Sequence, residues 1–420
     1  MSAPAECQEQ LADLLRAAGR AGGAVEAAFR AVPRHLFLPG LDAGQAYQDV
    51  AIVVKSDADG LPLSASTQPT MMAIMLDQLD LAAGHRVLEI GTGTGYNAAL
   101  IAHIVGDQGS VVTIDVVPEL TSRARASLAA AGYGGVSVVC GDGAAGVPDH
   151  APYDRIIVTA GASDLAPQWL TQLASGGRIV LPISVRGIQL AAAFEQTGDY
   201  WASRSARRCG FIRMAGPATG PESLLALGPQ PGLHALAVDG PAPEAEQLYE
   251  ALCGPVTAAP AGLHAASTAE LADLDLWLTL TEPRLTRLNM MGRHEGLAGP
   301  AQQRIARLMP LGGLARAGGS DGLGVATLAP AARAAGREPI AIVIEGFGPG
   351  GAGLAAHLAR RALAWHEIGR PGAAQLELGA FPARTRLAAL GDASIVIDRP
   401  NARLTVRWGS GRSSARGPKD

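Results

Sequence analysis

The stretch "VLEIGTGTGYNAALIA", residues 87–102, decides the fold. It begins as an apolar strand, passes through glycines at 91, 93 and 95, and continues with the apolar spacing of a helix. Backbone amides at a strand-to-helix junction point at a ligand over the helix N-terminus, and glycine lets that ligand come close. Such a turn is compatible with nicotinamide, flavin and S-adenosylmethionine (SAM) cofactors.

Three acids favour SAM. Glu89 precedes the turn inside the strand, and Asp115 closes the next strand, where a carboxylate can accept both ribose hydroxyl protons. Asp142, in "CGDG", ends the third strand, where it can pair with an adenine edge. Each acid alone would be read as a solvated loop carboxylate, but parallel strands bring all three to one sheet edge. The predicted cofactor-binding residues are Glu89, Gly91, Thr92, Gly93, Gly95, Asp115, Val116, Gly141, Asp142, Gly143 and Thr159, with S-adenosylhomocysteine as the product.

The arrangement of segments around this turn predicts two domains. Strand-like and helix-like segments alternate after residue 81, which is typical of a parallel sheet covered on both faces. We therefore predict an α/β, Rossmann-like class I SAM-dependent methyltransferase domain over residues 1–217, in which "GDYWASRSARRCGFIRM" continues the sheet with antiparallel strands. The Gly/Pro/Ser-rich residues 215–223 are the linker candidate. Residues 222–408 predict a C-terminal α+β domain, and residues 409–420 a disordered tail.

Composition excludes several classes of protein. A formal net charge of -4 over 420 residues gives no electrostatic case for nucleic acid or an anionic membrane surface. Apolar runs fall short of the roughly 18 residues of a membrane helix, and the N-terminus lacks the pattern of a secretory signal. The four cysteines are scattered and the histidines have no partners at ligand spacing, so no metal site is predicted. A cytoplasmic protein is expected.

Several ordered motifs flank the glycine turn. They are "VPRHLF" (32–37), "AYQD" (46–49), "STQPTMMAIMLDQL" (66–79), "GDGAAGVPDHAPYDRIIVTAGA" (141–162) and "QLASGGRIVLPI" (172–183). Over about residues 15–195, this set resembles the protein-L-isoaspartate O-methyltransferase family. The resemblance implies that the segment before the SAM strand lies over the cofactor and forms a pocket for a peptide carboxylate.

The resemblance also implies the substrate pocket. Thr67 stands where the family has serine, and Thr70 where it has histidine or tyrosine, so a hydroxyl is kept at the first position and an aromatic group is lost at the second. The implied catalytic residues are Thr67 and Asp49, and the implied substrate-binding residues are Tyr47, Ser66, Thr67 and Thr70. The alternative for Thr67 is a helix N-cap before Pro69. Because a peptide carboxylate is ionised at neutral pH, it needs no strong general base to attack the methyl group.

The C-terminal half suggests a more specialised enzyme. Residues 273–288 and 340–367 are similar to lanthipeptide-associated (FxLD-type) methyltransferases. That similarity implies methylation of an aspartyl side chain in a modified, cyclised precursor peptide. The ester would then lead to a succinimide (aspartimide) or isoaspartate. The extra domain would hold that peptide. Two alternatives stay open: isoaspartate repair, with the second domain serving homo-oligomerisation, and a SAM-bound regulatory or scaffold subunit without turnover.

Two further patterns have ordinary interpretations. The glycines of "IEGFGPGGAGLAAHL" (344–358) resemble a second nucleotide turn, but no βαβ unit follows, so we predict a tight strand-to-helix turn. In "DLDLW", Asp273 and Asp275 are predicted on a solvated face, and Leu274 and Trp277 in a core.

Overall fold

The computed structural model describes residues 3–215, 220–229, 232–240, 242–292, 304–305, 313–316, 322–330, 340–386 and 395–409. The described strands are β1 Ile52–Ser56, β2 Pro62–Ser66, β3 Arg86–Ile90, β4 Ser110–Asp115, β5 Ser137–Cys140, β6 Tyr153–Val158, β7 Leu173–Val185, β8 Ile188–Thr197, β9 Tyr200–Cys209, β10 Ser223–Ala226, β11 Leu233–Val238, β12 Val256–Ala265, β13 Thr286–Gly292, β14 Gly313–Arg316, β15 Gly324–Pro330, β16 Ile340–Phe347, β17 Leu376–Pro382, β18 Ile395–Asp398 and β19 Ala402–Trp408. The described α-helices are α1 Ala3–Ala17, α2 Gly23–Ala31, α3 Ala43–Ala46, α4 Pro69–Leu79, α5 Tyr96–Val105, α6 Pro118–Ala130, α7 Pro167–Gln172, α8 Ala245–Cys253, α9 Thr268–Thr281 and α10 Gly351–Glu367.

A ten-stranded sheet carries the glycine turn. Its order is β18-β19-β17-β9-β8-β7-β6-β3-β4-β5, parallel from β7 to β5 and antiparallel from β7 to β18. Apolar side chains of α1, α2, α4 and α5 cover one face of the sheet, and those of α7 and α9 pack on the other. Strand β3 illustrates this coverage of both faces, because Val87, Leu88 and Ile90 are all buried, as expected of such a parallel strand. The predicted α/β, Rossmann-like fold is confirmed.

A second sheet of seven antiparallel strands follows. Its order is β10-β11-β13-β14-β15-β16-β12. Helices α9 and α10 pack on one of its faces, and α8 contributes to a separate core on the other. Helix α9 lies between the two sheets, because Leu276 and Leu280 join the core of the first sheet while Leu274 and Trp277 join that of the second. The predicted core positions of Leu274 and Trp277 are therefore confirmed.

The last three strands belong to the first sheet, not to the second. In β17, Gly379 and Ala380 pair with Ala202 and Trp201 of β9, and β19 and β18 then extend the same sheet. The predicted C-terminal unit of residues 222–408 is consequently divided between two sheets. An α+β domain was predicted over these residues, but local sequence does not encode which sheet edge a strand will join.

The prediction that Asp275 lies on a solvated face is wrong. It is buried between the two sheets, where it accepts hydrogen bonds from Arg208 of β9 and, at 2.9 Å, from Arg287 of β13. Burial would raise the pKa of Asp275, but the charges of the two arginines more than offset this, so its pKa lies below the ordinary value. Asp273 is half-buried and accepts a hydrogen bond from the Ala373 amide at 2.9 Å. Helix α9 has no solvated face here because it is sandwiched.

The remaining expectations concern turns and termini. The glycine turn at residues 346–351 packs tightly, since a Cβ at Gly346 would lie 2.0 Å from the Gly351 carbonyl oxygen and one at Gly348 2.6 Å from Ala251. The predicted tight turn is confirmed. Four of the nine residues of the predicted linker, 216–219, lie outside the described residues, and so does the predicted tail from residue 410. In the described part of the chain, no helix is long and apolar enough to cross a membrane. No cluster of three or more potential metal ligands occurs among the same residues.

Candidate active site

The glycine turn joins β3 to α5 with a backbone that only glycine adopts easily. Gly91 has a φ of +102°, and a Cβ there would lie 2.5 Å from the hydroxyl oxygen of Thr159. That hydroxyl donates to the Gly91 carbonyl at 2.7 Å, so the end of β6 holds the turn in place. The chain can therefore expose backbone at this sheet edge only because residue 91 has no side chain.

Glu89 lies beneath the turn. Its fully buried carboxylate accepts hydrogen bonds from Asn97 Nδ2 at 2.8 Å and from Thr113 Oγ1 at 2.7 Å. The Thr113 hydroxyl also lies 2.8 Å from that of Thr92. These contacts connect β3, β4, α5 and the turn, and they occupy the carboxylate within the protein. Glu89 thus lies at the base of the cleft and orients the predicted cofactor-binding residues around it.

We expect Glu89→Gln to flatten the pH dependence of folding stability. Burial raises the pKa of Glu89 from its ordinary value near 4.5 to about 7, although the hydrogen bonds from Asn97 and Thr113 lower it. Between these values the folded protein retains a proton that the unfolded chain releases, so this contribution to stability is fully present below pH 4.5 and is lost as the pH rises to about 7. A neutral glutamine removes this linkage. Thermal unfolding of both proteins across the range checks it, and parallel stability curves would contradict it.

Asp115 and Asp142 lie at the ends of the next two strands. Asp115 accepts hydrogen bonds from the amides of Gly93, at 3.0 Å, and Val117, at 3.1 Å, so it joins the glycine turn to the turn after β4. Asp142 is exposed and accepts from the Ala144 amide at 2.9 Å. Val116, beside Asp115, is 54% exposed although apolar. Two carboxylates and an exposed apolar side chain at one edge are the chemistry that a nucleoside requires.

These residues line one cleft of about 460 Å³. The β1–β2 hairpin lies beside it, with Ser64 and Ala65 close to the glycine turn, and an ion pair between Lys55 and Glu119 ties the hairpin to α6. The predicted site residues that line the cleft are Ser66, Thr67, Glu89, Gly91, Thr92, Gly93, Asp115, Val116, Asp142, Gly143 and Thr159. Gly95 and Gly141, also predicted, do not line it: Gly95 is the N-cap of α5, and Gly141 donates its amide to the Asp115 carbonyl.

Two hydroxyl-bearing residues, Ser66 and Thr67, line the cleft at the end of β2. Ser66 is only 2% exposed, and its hydroxyl has no hydrogen-bond partner among the described residues. Thr67 follows, and its carbonyl accepts a hydrogen bond from Arg34 at 3.3 Å. Arg34 is itself buried, donates to the Ala46 carbonyl at 2.8 Å and lies over the Tyr96 ring. Arg34 belongs to the motif "VPRHLF", which does not by itself indicate a role for it, and in the structure it holds the backbone of Thr67.

Asp49, Thr70 and Tyr47 do not line the cleft. Asp49 accepts hydrogen bonds from the Thr70 amide, at 2.8 Å, and from the Thr70 hydroxyl, at 2.7 Å. Asp49 therefore caps the N-terminus of α4, which is the role considered as the alternative for Thr67. Gln68 is the N-cap residue of this helix but makes no capping hydrogen bond with its side chain. Tyr47 is buried in the core, where its hydroxyl donates to Gln8 at 3.1 Å. The positions of these three residues do not support the catalytic and substrate-binding roles predicted for them.

One further segment that lines the cleft was not predicted from the sequence. Residues 210–215, just after β9, line the cleft with an extended backbone. The segment is fixed to the end of β6 because the Gly161 amide donates to the Ile212 carbonyl at 2.8 Å and the Met214 amide donates to the Gly161 carbonyl at 3.0 Å. Its only signal in the sequence is the loss of strand alternation after Cys209, which does not identify a binding surface.

Comparison with known proteins identifies the family. The model of the "Protein-L-isoaspartate(D-aspartate) O-methyltransferase (PCMT)" family matches residues 6–218. Protein-L-isoaspartate O-methyltransferase 2 of Archaeoglobus fulgidus is 46% identical over 42% of this chain and 78% of its own length. The protein-L-isoaspartate O-methyltransferase of Methanopyrus kandleri is 40% identical over 50% of this chain and 91% of its own. A solved protein-L-isoaspartate O-methyltransferase structure, 24% identical, covers 89% of this chain and 96% of its own, with a TM-score of 0.48. The chain therefore belongs to the protein-L-isoaspartate(D-aspartate) O-methyltransferase family and is a SAM-dependent carboxyl O-methyltransferase.

Proposed function

We propose that this enzyme esterifies the free α-carboxylate of isoaspartyl residues in peptides or proteins. The relatives described above are protein-L-isoaspartate O-methyltransferases, and they favour this over the dedicated-precursor hypothesis. One feature still favours a dedicated peptide: the second sheet lies outside residues 6–218. The lanthipeptide-associated resemblance has no support among these relatives, so the precursor hypothesis is kept as an outcome of the test below.

The cleft fits the adenosyl group of SAM. Asp115 would accept hydrogen bonds from the ribose hydroxyls, Asp142 would pair with the adenine edge, and the exposed Val116 would cover the ring. Gly91 and Gly143 allow this close packing of the wall, because a Cβ at Gly143 would lie 2.6 Å from Ile90 and one at Gly91 2.5 Å from the Thr159 hydroxyl. When bound, SAM supplies an electrophilic methyl group on its sulfonium.

The observation that carries the proposal is the buried, unpartnered hydroxyl of Ser66 beside Thr67 in the same cleft. A buried hydroxyl without a partner costs free energy, and a substrate carboxylate would satisfy it. Hydrogen bonds from Ser66 and Thr67 to one carboxylate oxygen would aim the other at the methyl group. The oxygen then gains the methyl as the carbon–sulfur bond breaks, and S-adenosylhomocysteine leaves. The protein contributes alignment and exclusion of water rather than a general base.

Mass spectrometry of two matched peptides tests the proposal. One peptide contains a single isoaspartyl residue and the other has aspartate at that position, and each is incubated with the full-length enzyme and SAM. We expect the isoaspartyl peptide alone to gain one methyl and then to lose methanol as its succinimide forms. Labelling of neither peptide, with SAM binding intact, would overturn the proposal and leave the dedicated-precursor and regulatory-subunit hypotheses. Equal labelling of both would exclude isoaspartyl specificity.

Thr67→Val should lower kcat/KM for the isoaspartyl peptide by roughly tenfold, because it removes one hydrogen bond to an ionised carboxylate. Affinity for SAM should be unchanged, since the predicted adenosyl contacts are made by Asp115, Val116 and Asp142 rather than by Thr67. Thr67→Ser is the matched control: it keeps the hydroxyl and should keep most of the activity. Steady-state kinetics and calorimetric titration with SAM measure both effects, and equal loss in the two variants would contradict the assigned role, because Thr67→Ser retains the hydroxyl.

A further inference from the structure

The charges of the cleft are unsuited to an anionic substrate except at one residue. Its acidic members are Glu89, Asp115 and Asp142, all at the predicted cofactor wall. Of the described residues that line it, Arg213 is the only lysine, arginine or histidine. A carboxylate that entered this cleft would therefore be repelled by the acidic side chains and attracted by a single cation, and such interactions are strongest where water is excluded.

The Arg213 side chain is fixed in place. Its Nη1 donates to the carboxylate of Glu222 at 2.6 Å, and that glutamate side chain is only 4% exposed. The arginine side chain remains 24% exposed, and its Nε and Nη2 have no partner within the described part of the chain. The backbone on both sides is tied to Gly161, as described above. A guanidinium held by one nitrogen offers its other donors to a ligand without the loss of entropy that a mobile side chain would suffer.

We infer that Arg213 is a specificity-determining residue that recognises the substrate carboxylate through its Nε and Nη2 donors. The inference rests on the proposed function, because it assumes that the substrate is a peptide carboxylate. Planar guanidinium donors match the two oxygens of a carboxylate, so recognition would favour a carboxylate over the uncharged carboxamide of equal shape. Glu222 is a positioning residue: it orients the guanidinium and does not itself touch the substrate.

The test compares Arg213→Met with Arg204→Met in the full-length protein. Arg204 is the matched control, since it forms an ion pair with Glu195 but does not line the cleft. We expect Arg213→Met to raise KM for the isoaspartyl peptide by roughly 10- to 100-fold, with a smaller change in kcat and unchanged affinity for SAM. Arg204→Met should leave all three unchanged.

A second readout separates recognition from mere support of the fold. The same peptide with an α-carboxamide in place of the α-carboxylate serves as a competitive inhibitor, and its inhibition constant is compared with KM. Wild type should prefer the carboxylate, and Arg213→Met should lose that preference, whereas Arg213→Lys should retain part of it. A structural role would weaken both peptides equally. Unchanged KM in Arg213→Met, equal weakening of both peptides, or loss of SAM binding would each overturn the inference.

Failure of this inference is distinguishable from failure of the proposed function. If wild type does not methylate the isoaspartyl peptide, the proposed function is wrong before any variant is measured. If wild type methylates it and Arg213→Met is equally specific for the carboxylate, the proposed function stands and only the role of Arg213 falls.

Discussion

Gly91→Ala is expected to weaken SAM binding by on the order of 100-fold or more, and to abolish methyl transfer at ordinary cofactor concentrations. The new Cβ would lie 2.5 Å from the Thr159 hydroxyl oxygen, at a φ of +102° that side chains rarely adopt. Strain at such a position costs roughly 1–3 kcal/mol, and overpacking adds a similar amount. The turn would relax into another conformation and no longer present its backbone to the cofactor. Calorimetric titration with SAM measures the loss.

Gly106→Ala is the control for this experiment. Gly106 also has a positive φ, +64°, at the end of α5, but nothing lies within 4 Å of its Cβ position. Its ψ of −173° is also strained for alanine, so the variant should lose roughly 1–3 kcal/mol of stability but keep its SAM affinity. Because Thr159 supplies the colliding atom, Gly91→Ala combined with Thr159→Ala should recover part of the binding. Full affinity in Gly91→Ala, or no recovery in the double variant, would contradict the steric explanation.

Asp275→Ala is expected to reduce the free energy of unfolding by about 3–5 kcal/mol. The substitution leaves Arg208 and Arg287 facing one another between the two sheets without the carboxylate that neutralises them. Breaking a buried ion pair on one side is costly because the remaining charge has been removed from water. Denaturant unfolding followed by tryptophan fluorescence measures the change, since Trp277 lies on the same helix.

The matched control removes the carboxylate of an exposed ion pair. Asp398 pairs with Arg403 at the edge of the first sheet, with the aspartate side chain 71% exposed. Asp398→Ala should change stability by no more than about 0.5 kcal/mol. If Asp275→Ala reduces stability as little as this control does, the buried ion pairs of Asp275 with Arg208 and Arg287 do not hold the two sheets together. A large loss in Asp275→Ala alone, with one cooperative transition, would show that the sheets unfold as a unit.

The sequence predicts the cofactor wall well because its determinants are local. Gly91, Asp115 and Asp142 each lie at or just beyond the carboxyl end of an apolar strand, and parallel strands bring such ends to one edge. The residues proposed to contact the peptide substrate are less predictable from the sequence. Asp49 caps a helix twenty residues further along the chain, and Arg213 reaches the cleft only because its segment returns to Gly161. Contacts of this kind depend on tertiary packing, which neither spacing nor residue type encodes.

Asp275 illustrates the same limit for the fold. Two aspartates in a helix normally indicate a solvated face, and this helix would have one if it covered a single sheet. Its opposite side is buried because β17, β18 and β19 return to the first sheet and carry apolar residues such as Leu378 and Leu404 to the shared core. The presence of strands and helices in this half was predictable from the sequence, whereas the order in which they assemble was not.

The late pairing of β17 with β9 also has a consequence during synthesis of the protein. Strand β9 leaves the ribosome roughly 170 residues before β17 is available to pair with it. At typical rates of roughly 5–20 residues per second, its hydrogen-bonding edge stays uncovered for about 10–30 s. Uncovered edges invite pairing with other nascent chains, and charged side chains discourage it. The run "RSARR" at residues 204–208 places three arginines on this strand. We expect those arginines to disfavour pairing with other nascent chains until synthesis reaches the strand that completes the sheet.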